Sequence, residues 1–188
     1  MTTFYSPEEL KELGIKEFGE NVLISRNAIL YSPATLTIGH DVRIDDFCIL
    51  SGTVILHNFI HIAQFCGLYG GDSGVEMMDY TSLSSKCSIY AVSDDYSGDS
   101  MTNPMIPMKY KPGSIDSKVT IGKYVAIGAS SVVLPGVNLA EGSSFTAMSL
   151  CARDSVEWTV NAGVPARRVK DRSRKLLELE QEFLKERG

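Results

Sequence analysis

The sequence lacks several features that would mark other classes of protein. None of its 188 residues fall in an unbroken apolar run of about 18, so no membrane-spanning helix is expected. Residues Met1 to Tyr5 carry no basic stretch followed by an apolar one, so no secretory leader is expected. No Cys-x-x-Cys pair is present: Cys48, Cys66, Cys87 and Cys151 stand far apart. That spacing disfavours a zinc ribbon or a dithiol redox motif and predicts reduced thiols, mostly small core residues, in a cytoplasmic protein. There is no excess of positive charge, and a net charge of −5 disfavours a general nucleic-acid binder. Histidine is scarce, at 3 residues. The chain is not short of core-forming material: 44% hydrophobic and 22% charged residues are ordinary soluble composition, which excludes disorder and fibres. The length suits one domain with short appendages and demands no disulfide or metal staple.

A repeat organises the rest. From Ile38 an aliphatic residue recurs every six positions through Ile44, Leu50, Leu56, Ile62 and Leu68. A second array runs Ile121, Ile127, Val133, Leu139, Phe145 and Cys151. Small or acidic residues often follow the repeated one (Gly39, Asp45, Ala63, Gly122, Gly128). A period of six fits neither an amphipathic helix, near 3.6, nor a surface strand, at two. It fits a short strand plus a corner repeated as a unit, with one large side chain filling each corner. Three such units close a coil, and stacked coils share one core, so the pattern predicts an all-β solenoid. Residues 21–157 without an aperiodic loop at 92–118 hold about six coils, roughly 29 Å at the spacing of stacked strands. Between Leu68 and Met78 the phase slips, which predicts a four-residue bulge at Gly70, Gly71 and Gly74 followed by the weaker units Met78, Ser84 and Tyr90.

The ends read as helices. Ser6-Pro7-Glu8-Glu9 has a capping serine, a proline at the first helical position and a glutamate three after the cap, so a short helix should run to Leu13 and stop at Gly14. Leu176, Leu179 and Phe183 share one helical face within 171–187, predicting an amphipathic C-terminal helix that caps the last coil. The expected division is a helical segment at 1–20, a solenoid at 21–170 and a C-terminal helix at 171–188.

The hexapeptide repeat, its interrupting loop and the ending Asn161-Ala162-Gly163-Val164-Pro165-Ala166-Arg167-Arg168-Val169 resemble the hexapeptide-repeat acyltransferases. The likeness is to the branch of galactoside, maltose and xenobiotic acetyltransferases and the sugar acetyltransferases of polysaccharide biosynthesis, and it spans roughly residues 20–170. It implies a left-handed parallel β-helix, a homotrimer, acetyl-CoA as donor, no resident metal, and active sites between neighbouring subunits. Handedness rests on the resemblance alone, because parallel crossovers are generally right-handed. The matched ending puts Pro165 among the residues expected to bind the donor. Arg153 falls where the family often has a basic residue, and is a further phosphate candidate.

The residues add their own case for CoA, which carries a pyrophosphate and a 3′-phosphate. Arg167, Arg168, Lys170, Arg172, Arg174 and Lys175 place 6 cations within 9 positions of an acidic chain. Arginine suits bidentate phosphate contacts, so Arg167 and Arg168 are candidates, whereas Arg172 to Lys175 fit a solvated helix start. Small residues at Gly128, Ala129, Ala147 and Ala152 would let a pantetheine arm lie on the backbone.

Acyl transfer to a hydroxyl needs a base. The family's O-acetyltransferases carry a histidine just before the long loop, but here the segment is Tyr90-Ala91-Val92-Ser93-Asp94-Asp95-Tyr96. His61 precedes an inward residue and should point outward from a prism face, which makes it the candidate base. Asp94 or Asp95 would orient it or bind the acceptor's amine or hydroxyls. A loop of this length inside a compact domain is more often functional than idle. The reading carried forward is acetyl-CoA-dependent O-acetylation of a sugar or sugar nucleotide by direct transfer, without nucleic acid or membrane insertion. The alternative is N-acetylation of an amino-sugar nucleotide, where an amine demands less of a base. More distant are a zinc carbonic anhydrase built on His40, His57 and His61, and a non-catalytic scaffold.

Overall fold

A strand of two or three residues followed by a corner is too short to bury anything by itself, and it succeeds only by stacking. The computed structural model describes residues 3–187 and is a parallel β-solenoid of three faces. Met1, Thr2 and Gly188, which belong to the leader reading and the C-terminal segment, lie outside the described residues. The first face stacks Glu17–Phe18, Leu36–Ile38, Val54–Leu56, Val75–Met77, Val119–Ile121 and Asn138–Leu139. The second stacks Leu23–Ile24, Val42–Ile44, Ile60–Ile62, Ser82–Leu83, Ala126–Ile127, Ser144–Phe145 and Thr159–Ala162. The third stacks Ile29–Leu30, Ile49–Ser51, Gly67–Tyr69, Ser88–Tyr90, Val132–Val133 and Leu150–Cys151. These make six coils and part of a seventh.

Register explains the period. Ile44 lies beside Ile62 and Ile62 beside Leu83, so each inward side chain rests on its counterpart in the next coil. Every position of the two six-residue arrays is buried. Each fully buried aliphatic side chain is worth roughly 1.5–3 kcal/mol, so the column is the main source of stability. Cys48, Cys66 and Cys87 fill one inner corner on successive coils, and each thiol donates to a carbonyl of the next coil, at Ala63, Ser84 and Gly128. Ser131 continues that column and donates to the carbonyl of Thr146.

The corners favour the left-handed backbone region. Asp41, Phe59, Tyr80, Tyr124 and Trp158 all have φ between 54° and 62°. The geometry aims the N–H of Phe59 at the carbonyl of His40 and that of Tyr80 at Asn58, satisfying donors that a corner would otherwise orphan. The outward rings then stack: Phe59 on Tyr80 at 4.6 Å and Tyr80 on Tyr124 at 5.5 Å.

Two expectations change in detail. After the bulge the inward residues are Met77, Leu83 and Ile89, one position before Met78, Ser84 and Tyr90. Met77 pairs with Leu56, so Gly70–Gly74 inserts three residues and not four. Apolar neighbours on both sides (Met77-Met78) made the phase ambiguous; pairing decides it.

The N-terminal helix α1 (Pro7–Glu12) has its capping box formed between Ser6 and Glu9, and Gly14 follows at φ +73°. The C-terminal helix α2 is shorter than expected (Leu176–Arg187) and does not cap the last coil. Residues Arg167–Asp171 form instead a strand that returns antiparallel along Thr159–Ala162 and closes the end of the second sheet. Helix α2 then runs back down the edge of stacked rings. Glu180 receives the Lys123 ammonium at 2.9 Å and the Tyr124 hydroxyl, Phe183 meets Phe59 edge-on at 5.6 Å, and Arg187 reaches Asp41 at 3.1 Å. Among the described residues no helix is long and apolar enough to cross a membrane.

Candidate active site

The inserted loop leaves the solenoid after the third face of the fourth coil. Its two ends pair antiparallel, Val92–Ser93 with Ile115–Asp116, so its base is a fixed hairpin. Between them the chain folds back over the third face and roofs a cavity of about 710 Å³. The floor is Tyr69 and Tyr90, stacked at 4.8 Å, with Val132; Leu134 and Pro135 form the rim, and Ser93, Asp94, Tyr96, Lys111, Ser114 and Asp116 come from the loop. The rings offer an apolar shelf and the loop supplies the polar groups.

Those groups are ordered. Lys111 is buried, with its ammonium 2.7 Å from Asp94. Asn103 N–H donates to the other oxygen of Asp94 at 2.9 Å. The Lys111 hydrogen bond, helped by that N–H, holds the Asp94 carboxyl below the ordinary aspartate range. Burial works against the charge of Asp116, but the N–H groups of Asp72 and Ser73 outweigh it and leave its pKa lowered. The Ser114 hydroxyl is buried against the cavity without a hydrogen-bond partner.

The remaining candidates are distributed. Asp95 turns back on its own loop, accepting from the N–H and hydroxyl of Ser97 at 2.8 and 2.7 Å. His61 does point outward, but from the second face, and its Nε2 lies 2.9 Å from Asp45. Asp94 and Asp95 therefore do not orient it, because within one chain they sit on the loop that roofs the third face. Asp45 does, from the preceding coil. The Asp45 carboxylate is nearly buried; desolvation opposes its charge, yet the bonds from His61 and Arg43 prevail and lower its pKa. His57 is bonded to Glu76 and His40 accepts from Glu20 N–H, so the three histidines have three separate partners. Among the described residues no group of three or more His, Cys, Asp or Glu is arranged to hold a metal ion.

Of the donor-site candidates, Gly128, Ala129 and Ala147 follow the second-face strands and share the prism edge between the second and third faces. A Cβ on Gly128 would lie 2.4 Å from the Ala147 nitrogen, so close stacking of the coils demands this glycine. The turn at Gly163–Ala166 continues that edge, donating and accepting at Leu150. Arg167 and Arg168 stand exposed beside it on the antiparallel strand, opposite Ala162 and Asn161. Ala152 and Arg153 are exposed at the next edge, close to Leu134 and Pro135 on the cavity rim. Arg172, expected to be a solvated helix start, turns inward and donates to the carbonyls of Tyr124, Gly142 and Ser143.

Comparison with known proteins settles the family. No family model matches the chain. A curated protein from Escherichia coli, dTDP-4-amino-4,6-dideoxy-D-glucose acyltransferase, is 45% identical over 179 residues, 93% of this chain and 92% of its own. This chain belongs to the hexapeptide-repeat sugar acyltransferases. Its likeness to solved structures of AntD, an N-acyltransferase from Bacillus cereus, extends over nearly the whole chain. A variant in complex with dTDP-4-amino-4,6-dideoxyglucose and coenzyme A is 46% identical with a TM-score of 0.97, covering 99% of this chain and 100% of that one. The complex with dTDP and 3-hydroxybutyryl-CoA is 47% identical with a TM-score of 0.96, covering 99% and 98%. A hexapeptide-repeat acetyltransferase from Vibrio cholerae, 18% identical with a TM-score of 0.54 over 87% of this chain and 77% of that one, shares the fold. The acyltransferase reading and its enzyme class stand. The relatives back the amine alternative better than O-acetylation.

Sequence reasoning missed Lys111, Ser114, Asp116, Tyr69, Tyr90 and the Asp45 partner of His61. A signal existed for two of them: Tyr69 and Tyr90 each follow an inward aliphatic residue (Leu68, Ile89) and fall in register once the bulge has its correct length.

Proposed function

We propose that this enzyme transfers an acyl group from a CoA thioester to the amino group of a dTDP-linked 4-amino-4,6-dideoxyhexose. The observation that carries the reading is the 45% identity, over 93% of this chain, to the Escherichia coli acyltransferase of that sugar nucleotide. The cavity supports it chemically. An aromatic shelf suits the apolar 6-deoxy end of such a sugar, and the Asp94 carboxylate beside it attracts an amine. An amine acceptor is already a good nucleophile in its neutral form and demands less of a base than a hydroxyl.

The neutral amine attacks the thioester carbonyl, forming the C–N bond and an oxyanion. Collapse breaks the C–S bond, and the proton shed by nitrogen ends on the departing thiolate, so no external acid or base is consumed. Asp94 is held too low to act as an efficient base near neutrality, since general bases work best with a pKa near the operating pH. Its role in this scheme is to orient the amine and stabilise charge building on nitrogen. No acyl-enzyme is needed; burial pushes the Cys151 thiol up to about 12 and keeps it inert.

On this reading the donor lies along the edge of Gly128, Ala129, Ala147 and Pro165, with Arg153, Arg167 and Arg168 available to its phosphates. The same edge supports a homotrimer with shared sites. Phe47 and Phe65 are about half exposed and stack at 5.0 Å, and Met148 is 71% exposed, an apolar ridge that a lone subunit would leave wet. A ridge turned to a threefold axis would set the third face of one subunit, with its loop, against the second face of the next, where His61 stands. His61 is then a candidate contact to the acceptor across the interface. The four cysteines, all free and buried, support a reducing, cytoplasmic setting.

The deciding experiment is thiol release from acetyl-CoA and 3-hydroxybutyryl-CoA with dTDP-4-amino-4,6-dideoxyglucose against its 4-hydroxy counterpart. Turnover with the amine alone is expected. Turnover with the hydroxyl sugar and none with the amine would return the enzyme to O-acylation.

A further inference from the structure

Lys111 is absent from every reading of the sequence, yet it is a heavily buried cation, with only 9% of its side chain exposed. Taking an ammonium out of water is costly unless partners replace the lost hydration. Here two do: Asp94 at 2.7 Å and the carbonyl of Asn103 at 3.2 Å. Asn103 in turn gives its N–H to the second oxygen of Asp94 at 2.9 Å. Residues from the start, middle and end of the inserted loop thus close a three-membered ring of polar contacts. The end carrying Lys111 is itself fixed, its N–H on the carbonyl of Met108 and its carbonyl receiving the N–H of Ser114.

The ring leaves Asp94 with acceptor capacity to spare. Each carboxylate oxygen is engaged once and keeps a lone pair, and the group lines the cavity. We propose that Lys111 is a positioning residue: acting through Asp94, it locks the base of the loop so that the carboxylate is presented to the acceptor's nitrogen. This inference rests on the amine-acylating function proposed above. It assigns Lys111 no contact with substrate. The charge pairing has a second effect. The Lys111 hydrogen bond is the main cause that holds the Asp94 pKa below the ordinary aspartate range.

The other titratable groups of the cavity are Asp116, Tyr69, Tyr90 and Tyr96. Asp116 is occupied by the N–H groups of Asp72 and Ser73, and burial raises Tyr69, so neither replaces Lys111 as a partner for Asp94. Asp95, adjacent in sequence, is tied to Ser97.

The test compares Lys111→Met and Lys111→Arg with the parent, using dTDP-4-amino-4,6-dideoxyglucose and acyl-CoA. Lys111→Met should lower kcat/KM for the sugar nucleotide about ten- to a hundred-fold, the range for losing a charge-assisted hydrogen bond, with an unchanged KM for acyl-CoA. Lys111→Arg, which keeps a cation within reach of Asp94, should recover most of that loss. In an Asp94→Asn background the methionine substitution should add little. An active Lys111→Met enzyme with parental kcat/KM would overturn the proposal, as would a loss that Lys111→Arg does not recover or that is equally large without Asp94. If the methionine variant does not fold, Lys111→Gln, which keeps a polar side chain and removes the charge, takes its place in the same comparisons. A parent that turns over no amino-sugar nucleotide would sink the proposed function instead, a distinguishable result.

Discussion

The stacked coils and the inserted loop are built on opposite principles. In the coils each residue repeats the environment of the one beneath it, and inward side chains such as Ile44, Ile62 and Leu83 are almost wholly buried. In the loop no position repeats another. Met105 and Tyr96 are 87% and 88% exposed, and shape is held by a few charged and polar contacts among Asp94, Asn103 and Lys111. Stability therefore resides in the coils, while recognition is expected from the loop. Repetition makes a rigid wall, and the irregular segment placed against that wall is free to carry chemistry without weakening the core.

The comparison can be broken at several points. The largest effect should come from Ile62→Ala, which opens a cavity in the column and should cost about 2–5 kcal/mol in denaturant unfolding. Met105→Ala in the loop should leave the unfolding midpoint where it is. Next comes Asp94→Asn, which keeps the shape of the side chain and removes its charge. It should lower kcat/KM for the amino-sugar nucleotide about ten- to a hundred-fold, and because it strips the buried Lys111 of its ionic partner it should loosen the loop while the coils still unfold near the parental Tm. Equal losses in stability and activity would show that loop and coils are not separable. Arg167→Ala should raise KM for acyl-CoA by about tenfold, the scale of one charge-assisted phosphate contact, and leave KM for the acceptor alone. Parental KM values for both substrates would remove Arg167 from the donor site.

The smallest expected effect concerns Asp45, a charge set into the regular part. Its folded pKa lies below the unfolded value near 3.8, so its contribution to stability is complete above that value. The contribution is lost as pH falls through the folded pKa. Asp45→Asn should accordingly flatten the dependence of Tm on pH below about 4, and an unchanged acid limb would show that the His61 and Arg43 contacts carry no net stabilisation.

What was legible from residues alone was whatever repeats. The period of six named the solenoid, since no other regular structure spaces its inward side chains so, and the matched ending at Asn161–Val169 named the family. The loop announced itself by breaking the period. The phase after the bulge was not legible, because Met77 and Met78 are equally apolar and only pairing with Leu56 distinguishes them. Nor was the path of α2, because a basic run reads alike as a helix start or as the edge strand Arg167–Asp171 that it forms. His61 was correctly aimed outward, since alternation along a strand is local. Its partner was not found, because Asp45 is one coil away and shares no local pattern with it. Lys111 stayed hidden for the same reason. Local sequence determines which way a strand residue faces and where a repeat stops; which charges meet across a fold-back of 17 residues depends on the route of the chain in space, and only the tertiary structure decided that.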